Sequence, residues 1–281
     1  MSVFVVDEGR CHRCGDCVSD CPACIIVLGE DGPPFIPAEK EQYCTRCQHC
    51  LAVCPQGAVS IHGHSPEDSR LLLAEFLPSL DQVDLLVRGR RSVRQYRREN
   101  VAPDLIERLL DATACAPTGS NVRELTFTVI RARAALDVLR RRVISGLGPA
   151  IEAGRLSERN ASFAAAVIKA EAGGRDMIFR GAPHALFVSS PTSTSSPQQD
   201  VSIALATFDL LAQSAGLGTV WCGYLHRALD ALPELKELIG LPCEHVYYPL
   251  LFGYPAVRYA RTVERKGSAT IRRVDALTAA D

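Results

Sequence analysis

The sequence contains no run of eighteen apolar residues, so it offers no candidate for a membrane-spanning helix. It also lacks a G-x-G-x-x-G between a strand and a helix. Gly216-Leu217-Gly218-Thr219 is too short to stand in for that motif, so no dedicated dinucleotide fold is expected. Its 31 basic and 32 acidic residues leave a formal net charge of −1, which argues against a general nucleic-acid surface. The opening residues, MSVFVVDEGR, have neither the basic start nor the long apolar core of a secretory signal. With many thiols and no export signal, a reducing, cytoplasmic setting is expected.

What the chain has instead is cysteine, 12 in 281 residues. Eight fall into two runs of identical spacing, Cys11, Cys14, Cys17 and Cys21-Pro22, then Cys44, Cys47, Cys50 and Cys54-Pro55. C-x2-C-x2-C-x3-C-P is the spacing of bacterial ferredoxins that carry two [4Fe–4S] clusters. Three closely spaced thiolates wrap one face of a cubane, and the fourth reaches the other cluster. Crossed ligation is therefore expected, with Cys11, Cys14, Cys17 and Cys54 on one cluster and Cys44, Cys47, Cys50 and Cys21 on the other. Paired zinc sites use two C-x2-C pairs and have no need of a third cysteine at this spacing. Cys24, Cys115, Cys222 and Cys243 are read as small packed hydrophobes.

Length and composition suit about two domains with a sizeable core, since 47% of the residues are hydrophobic and only 22% charged. Residues 1–61 hold eight acids and four bases, a formal −4, and the rest 24 acids and 27 bases, a formal +3. The expected organisation is a cluster module over 1–64, a linker helix over 65–79 and a larger domain over 80–281. His62-Gly63-His64 reads as a solvated hinge. Strands are expected at Thr126–Ile130, His184–Ser190, Gly218–Trp221 and in HVYYPLLFG. Helices are expected in DQVDLLVRG, PDLIERLLDATACA, 133–143, 160–180 and from about Asp200 to Ala215. They interleave without a βαβ rhythm, so the fold class is α+β. Residues 145–180 read as an ordinary surface helix pair.

Six arginines crowd residues 88–98, and RRSVRQY places a hydroxyl among guanidinium groups that match phosphate oxygens. This segment resembles the opening motif of the FMN-dependent nitroreductase family, R-[RH]-S-x-R-x-[FY]. APTGSN (116–121), AQSAGLGTVWCGY (212–224) and LFGYP (251–255) with Arg261 resemble further motifs of that family, in order. The chain as a whole resembles a ferredoxin–nitroreductase fusion.

The resemblance implies site residues. Arg90, Ser92 and Arg261 would hold the FMN phosphate, with Arg91 a second contact, and Arg94 would lie near the pyrimidine end of the ring system. Pro117, Thr118, Gly119 and Asn121 would approach the flavin of a homodimer partner. Cys222 and Gly223 would offer backbone donors near N5 and O4. The chain departs from the family at Arg123-Glu124, where Q-P is common, and at Val263, where proline is common. No residue is assigned as a catalytic acid or base; Tyr224, His226 and Arg123 merely lie in pocket segments.

Clusters pass single electrons and FMN handles two, so the expected activity is a reductase. A low-potential carrier such as ferredoxin would feed the clusters, or NAD(P)H the flavin directly, and an electron-poor small molecule of nitroarene or quinone type would accept. A dehydrogenase running the reverse way and a non-catalytic electron carrier are the alternatives. Spacing does not choose between the directions, because cluster potentials span roughly −700 to +450 mV.

Overall fold

The computed structural model describes residues 3–275. At the N-terminus, β1 (Phe4–Val6), α1 (Asp16–Ser19), α2 (His49–Ala52) and β2 (Val59–Ile61) form a small module. β1 and β2 pair antiparallel, and each short helix follows the second cysteine of its run. The backbone repeats as the cysteines do. Arg13 and Gly15 flank Cys14 with φ of 55° and 84°, and Arg46 and Gln48 flank Cys47 with φ of 55° and 60°. These left-handed residues curl each loop around a common interior.

The larger domain runs α3 (Leu80–Gly89), α4 (Pro103–Thr113), β3 (Thr126–Ile130), α5 (Arg133–Glu152), α6 (Glu158–Ala172), β4 (His184–Pro191), α7 (Pro197–Ser214), β5 (Gly218–Trp221), α8 (Gly223–Ala231), α9 (Glu234–Leu238) and β6 (His245–Gly253). Its sheet has the order β3-β4-β6-β5, with every neighbouring pair antiparallel. Both faces are covered. Ala185, Phe187 and Leu251 enter one apolar core with α5, α6 and α8, while Leu186, Val188, Leu250 and Phe252 enter a second with α4 and α7. The period-2 alternation of a strand thus divides one apolar run between two cores. The fold is α+β.

Several expectations need correction. Residues 65–79 do not form a helix. Ser65 and Asp68 complete a capping box, but only turns at Pro66–Asp68 and Ala74–Phe76 follow it. Leu71 and Leu72, 84% and 87% exposed, find no surface to bury against. A segment this short cannot stay helical on its own propensity. The helix expected over 160–180 stops at Ala172, because Gly174 takes a φ of 73°. That expected over 133–143 continues to Glu152. α7 starts at Pro197, ahead of Asp200. α8 and α9 were not anticipated.

Candidate functional site

In the cluster module the structure brings the eight cysteines together in two hollows. One is lined by Cys11, Cys14, Cys17 and Cys54, the other by Cys21, Cys44, Cys47 and Cys50. Including the part open to solvent, the hollows measure about 340 and 350 Å³. Each draws three thiols from one run and the fourth from its twin. Among the described residues no three His, Cys, Asp or Glu side chains converge tightly enough for a single metal ion. The thiols face one another across a space instead. Burial raises the Cys17 thiol above its usual range and pushes that of Cys50 up to about 12. Thiolates there call for a compensating cation.

Two donors reach cluster-run sulfurs. Ala58 N–H donates to Cys54 Sγ over 3.2 Å, and His62 Nε2 lies 3.4 Å from Cys44 Sγ. His62 is therefore no hinge. With φ of 49°, followed by Gly63 at 82°, it closes a tight turn in which His64 N–H donates to the Ile61 carbonyl. Cys24, Cys115 and Cys243 are exposed rather than packed, and only Cys222 among the four surplus cysteines is buried. Cys24 has φ of 51° where the second run places Gly57.

In the larger domain, residues 90–97 lie extended along the end of the sheet. Val93 N–H donates to the Thr219 carbonyl (2.8 Å), Arg97 N–H to that of Tyr254 (2.8 Å) and Ala256 N–H to that of Gln95 (2.9 Å). Ser92 bridges Thr219 on β5. Gly218 makes this passage possible, since a Cβ there would lie 2.5 Å from Val93 Cγ2. The extended backbone sends alternate side chains to opposite sides. Arg91, Val93 and Arg97, with Gly216, Gly218 and Arg258, line one recess. Arg94, Ile178, Arg180, Trp221, Cys222 and Gly223 line the other. Including the part open to solvent, these recesses measure about 1,060 and 570 Å³.

The arginines differ in what they hold. Arg90 pairs with Asp209 over 3.3 Å. Asp209, buried on α7, also accepts from the Thr219 hydroxyl and, over 3.1 Å, from Trp221 Nε1. Arg91 donates one Nη to the Arg90 carbonyl, and its Nη2 is buried without a partner. A buried, unsatisfied guanidinium N–H at a recess also lined by Arg97 and Arg258 calls for an anion. Arg94 Nη1 donates to the Ser92 carbonyl over 3.3 Å. Arg261 is exposed and outside both recesses, whereas Arg258, three residues earlier, lines the first.

Cys222 precedes α8, and its N–H already donates to the Pro249 carbonyl over 2.9 Å. The expectation that it would offer a free donor is therefore corrected. Gly223 opens α8, and N–H groups of a first helical turn have no intrahelical acceptor. Burial pushes the Cys222 thiol up to about 11, so it stays protonated at neutral pH. Its Sγ donates to the Ile178 carbonyl over 3.3 Å, which is a packing role.

Pro117, Thr118, Gly119 and Asn121 share one loop. Gly119 N–H donates to Asp200 Oδ1 over 2.9 Å, and Asn121 Nδ2 to the Thr45 carbonyl over 2.8 Å. Tyr224 lines the Arg94 recess, while His226 lies in a separate one with Asp230 and Tyr247. Sequence reasoning missed Asp209, Asp200, Arg180 and Arg258. Only Asp209 carried a signal, as a lone acid in the apolar stretch IALATFDLLA.

A model of the 4Fe–4S dicluster domain matches residues 10–59, and the nitroreductase family model matches residues 87–254. A protein of Methanothermobacter thermautotrophicus provisionally named NADH dehydrogenase/NAD(P)H nitroreductase is 29% identical over 185 residues. That alignment covers 63% of this chain and 80% of the relative. A 4-nitrobenzoate reductase of a Nocardioides species is 41% identical over 70 residues, 25% of this chain and 28% of that one. A solved nitroreductase of Bacteroides fragilis with bound FMN superimposes with a TM-score of 0.54 at 24% identity. It covers 68% of this chain and 99% of its own. No helix among the described residues is long and apolar enough to cross a membrane. With the nitroreductase model spanning well over half of the residues, the chain belongs to the nitroreductase family, an oxidoreductase of that family led by a 4Fe–4S dicluster ferredoxin domain.

Proposed function

We propose that this protein binds two [4Fe–4S] clusters and FMN, and uses electrons from a one-electron carrier to reduce an electron-poor small molecule of nitroarene or quinone type. The observation that carries this reading is the division of eight cysteines into two four-thiol hollows within a nitroreductase-family chain. Cys11, Cys14, Cys17 and Cys54 hold one cluster, and Cys21, Cys44, Cys47 and Cys50 the other. When bound, the clusters relay single electrons and FMN joins two of them for organic chemistry. Reduction of a quinone to a quinol consumes two electrons from the carrier and two protons from water.

This chain's own residues bind and orient. Arg91 and Arg258 would meet the FMN phosphate from one recess, with Arg90 braced by Asp209 behind them, while Ser92 lies on the Arg94 side of the segment. Arg94 and Arg180 set positive charge beside the ring and favour its anionic reduced form. Gly223 presents its N–H at the edge of the recess. The loop Pro117, Thr118, Gly119 and Asn121 serves a flavin at a homodimer interface. That loop, Trp221 and Ile178 narrow the water-accessible space around the substrate. Nitroarene reduction is favoured among acceptors because the Nocardioides relative is named for it.

Anaerobic reconstitution followed by stopped-flow mixing with a reduced ferredoxin tests the reading. Cluster bleaching followed by flavin bleaching is the expected sequence. Cys11→Ser and Cys44→Ser should each slow the second phase while sparing direct reduction by NAD(P)H. Flavin that stays oxidised beside reduced clusters sinks the proposal. A redox titration in which the clusters lie well above the flavin reverses its direction.

A further inference from the structure

The loop over residues 117–123 is shaped in a way that flavin contact alone does not require. Ser120, Asn121 and Arg123 have φ of 53°, 55° and 55°, three non-glycine residues in the left-handed region within four positions. Such conformations persist where surrounding structure holds them, and they concentrate at functional sites. Here the holding groups are visible. Asp200, 2% exposed, accepts the Gly119 N–H, and the Thr118 hydroxyl accepts the Arg123 N–H over 3.0 Å. Arg123 also donates through Nη2 to the Ala114 carbonyl over 2.9 Å. Ser195 and Ser196 press on Gly119, where a Cβ would sit 2.5 Å from Ser195 Oγ. The loop is pinned from beneath, and the Asn121 amide donates to a group outside it.

That donor meets the cluster module. Asn121 Nδ2 donates to the carbonyl of Thr45, which lies between Cys44 and Cys47. The two hollows also differ in exposure. Cys14 in the first is exposed, whereas Cys21, Cys44, Cys47 and Cys50 in the second are all partly or fully buried. Thr45 itself lines the second hollow, so that hollow abuts the flavin loop, while Cys14 is the one exposed thiol of the eight.

We infer that Asn121 is a positioning residue that docks the cluster module onto the flavin domain, so that the Cys21/Cys44/Cys47/Cys50 centre delivers electrons to the flavin and the Cys11/Cys14/Cys17/Cys54 centre receives them. Each delivery moves one electron from reduced iron to the flavin, and solvent supplies the proton. The order of the two centres rests on the electron route proposed above; the docking does not. Asn121→Ala removes the donor. Asn121→Asp keeps the shape but turns a carboxylate toward the Thr45 carbonyl.

The test compares the anaerobic holoprotein with both variants by hydrogen–deuterium exchange over residues 42–50, and by stopped-flow flavin reduction from a reduced ferredoxin. Loss of one hydrogen bond predicts exchange faster by roughly two- to tenfold in both variants. Cluster-to-flavin transfer, scaled to the FMN each variant binds, should slow by at least as much, with iron content retained. Wild-type exchange at 42–50 in both variants overturns the inference. So does FMN loss without loosening of the module, which would show that Asn121 serves the flavin alone. If the wild-type protein passes no electron to its flavin, the route fails, and the exchange contrast alone decides the docking.

Discussion

The two regions of this chain are built on opposite plans. In the larger domain the polypeptide fills its own interior. A four-stranded sheet is covered on both faces, and side chains such as Phe187, Phe208 and Phe252 are fully buried between sheet and helices. In the cluster module the interior holds two hollows. Phe4, Ile25, Ile26, Ile36, Leu51, Val59 and Ile61 make a thin apolar shell with Cys17 and Cys50. Regular structure there amounts to two three-residue strands, two four-residue helices and a 3-10 segment. Small domains with cores this limited rely on a staple. One region thus folds around its sheet, and the other around what it binds.

Removing the iron gives the largest expected difference. Anaerobic chelation should abolish hydrogen-exchange protection across residues 4–61 while leaving β3–β6 protected, because metal binding in such a module is itself folding free energy. A module that keeps its protection without iron breaks the contrast. Phe208→Ala tests the other side. Phe208 is fully buried and meets Phe252 edge-on at 5.3 Å between ring centroids. The substitution should cost about 3–5 kcal/mol in the denaturant stability of the larger domain. Cluster absorbance before that transition should not change, and early loss of it would show that the regions fold as one unit.

Gly218→Ala sharpens the contrast within the larger domain. The added methyl collides with Val93, and overpacking of this kind costs about 1–3 kcal/mol. The sheet core should survive, while the strand carrying Arg91, Ser92 and Arg94 shifts. Flavin content per iron should fall, as read from absorbance after desalting. Full flavin retention would mean that the segment's docking on Thr219 does not shape the flavin site.

Legibility in the sequence follows the same division. The cysteine runs were readable because each step is fixed by the size of what the thiols enclose, and the crossed partition of the two hollows matches that spacing. β3 to β6 were readable because β-branched and apolar residues such as those in HALFVSS mark strands buried on both faces. The 65–79 segment misled because its cap at Ser65 and its apolar residues are local signals, and the missing partner surface is not local. Asp200, Arg180 and Arg258 gave no signal, because their roles come from residues far along the chain. Gly119 meets Asp200 from 81 positions away. Arg91 and Arg90 look interchangeable in RRSVR, and only the buried Asp209 distinguishes them.

The smallest expected effect separates the two proposed cluster sites from each other. One hollow receives a backbone donor, Ala58 N–H to Cys54 Sγ; in the other, His62 Nε2 lies 3.4 Å from Cys44 Sγ and would donate to it once that sulfur is a cluster-bound thiolate. Hydrogen bonds to cluster sulfurs stabilise the extra negative charge of the reduced state and raise the potential. His62 can be exchanged without disturbing its turn, because asparagine tolerates its left-handed φ of 49° and has a shorter side chain that withdraws the donor. His62→Asn should therefore lower the midpoint potential of the Cys44-ligated centre alone in an electron paramagnetic resonance redox titration. On the proposed route, a lower potential there narrows the drop from the Cys11-ligated centre, so electron transfer between the two should slow while binding of iron and flavin stays intact. Equal shifts in both centres would mean that the mutation loosens the module as a whole, and no shift would mean that this hydrogen bond does not tune the centre it touches.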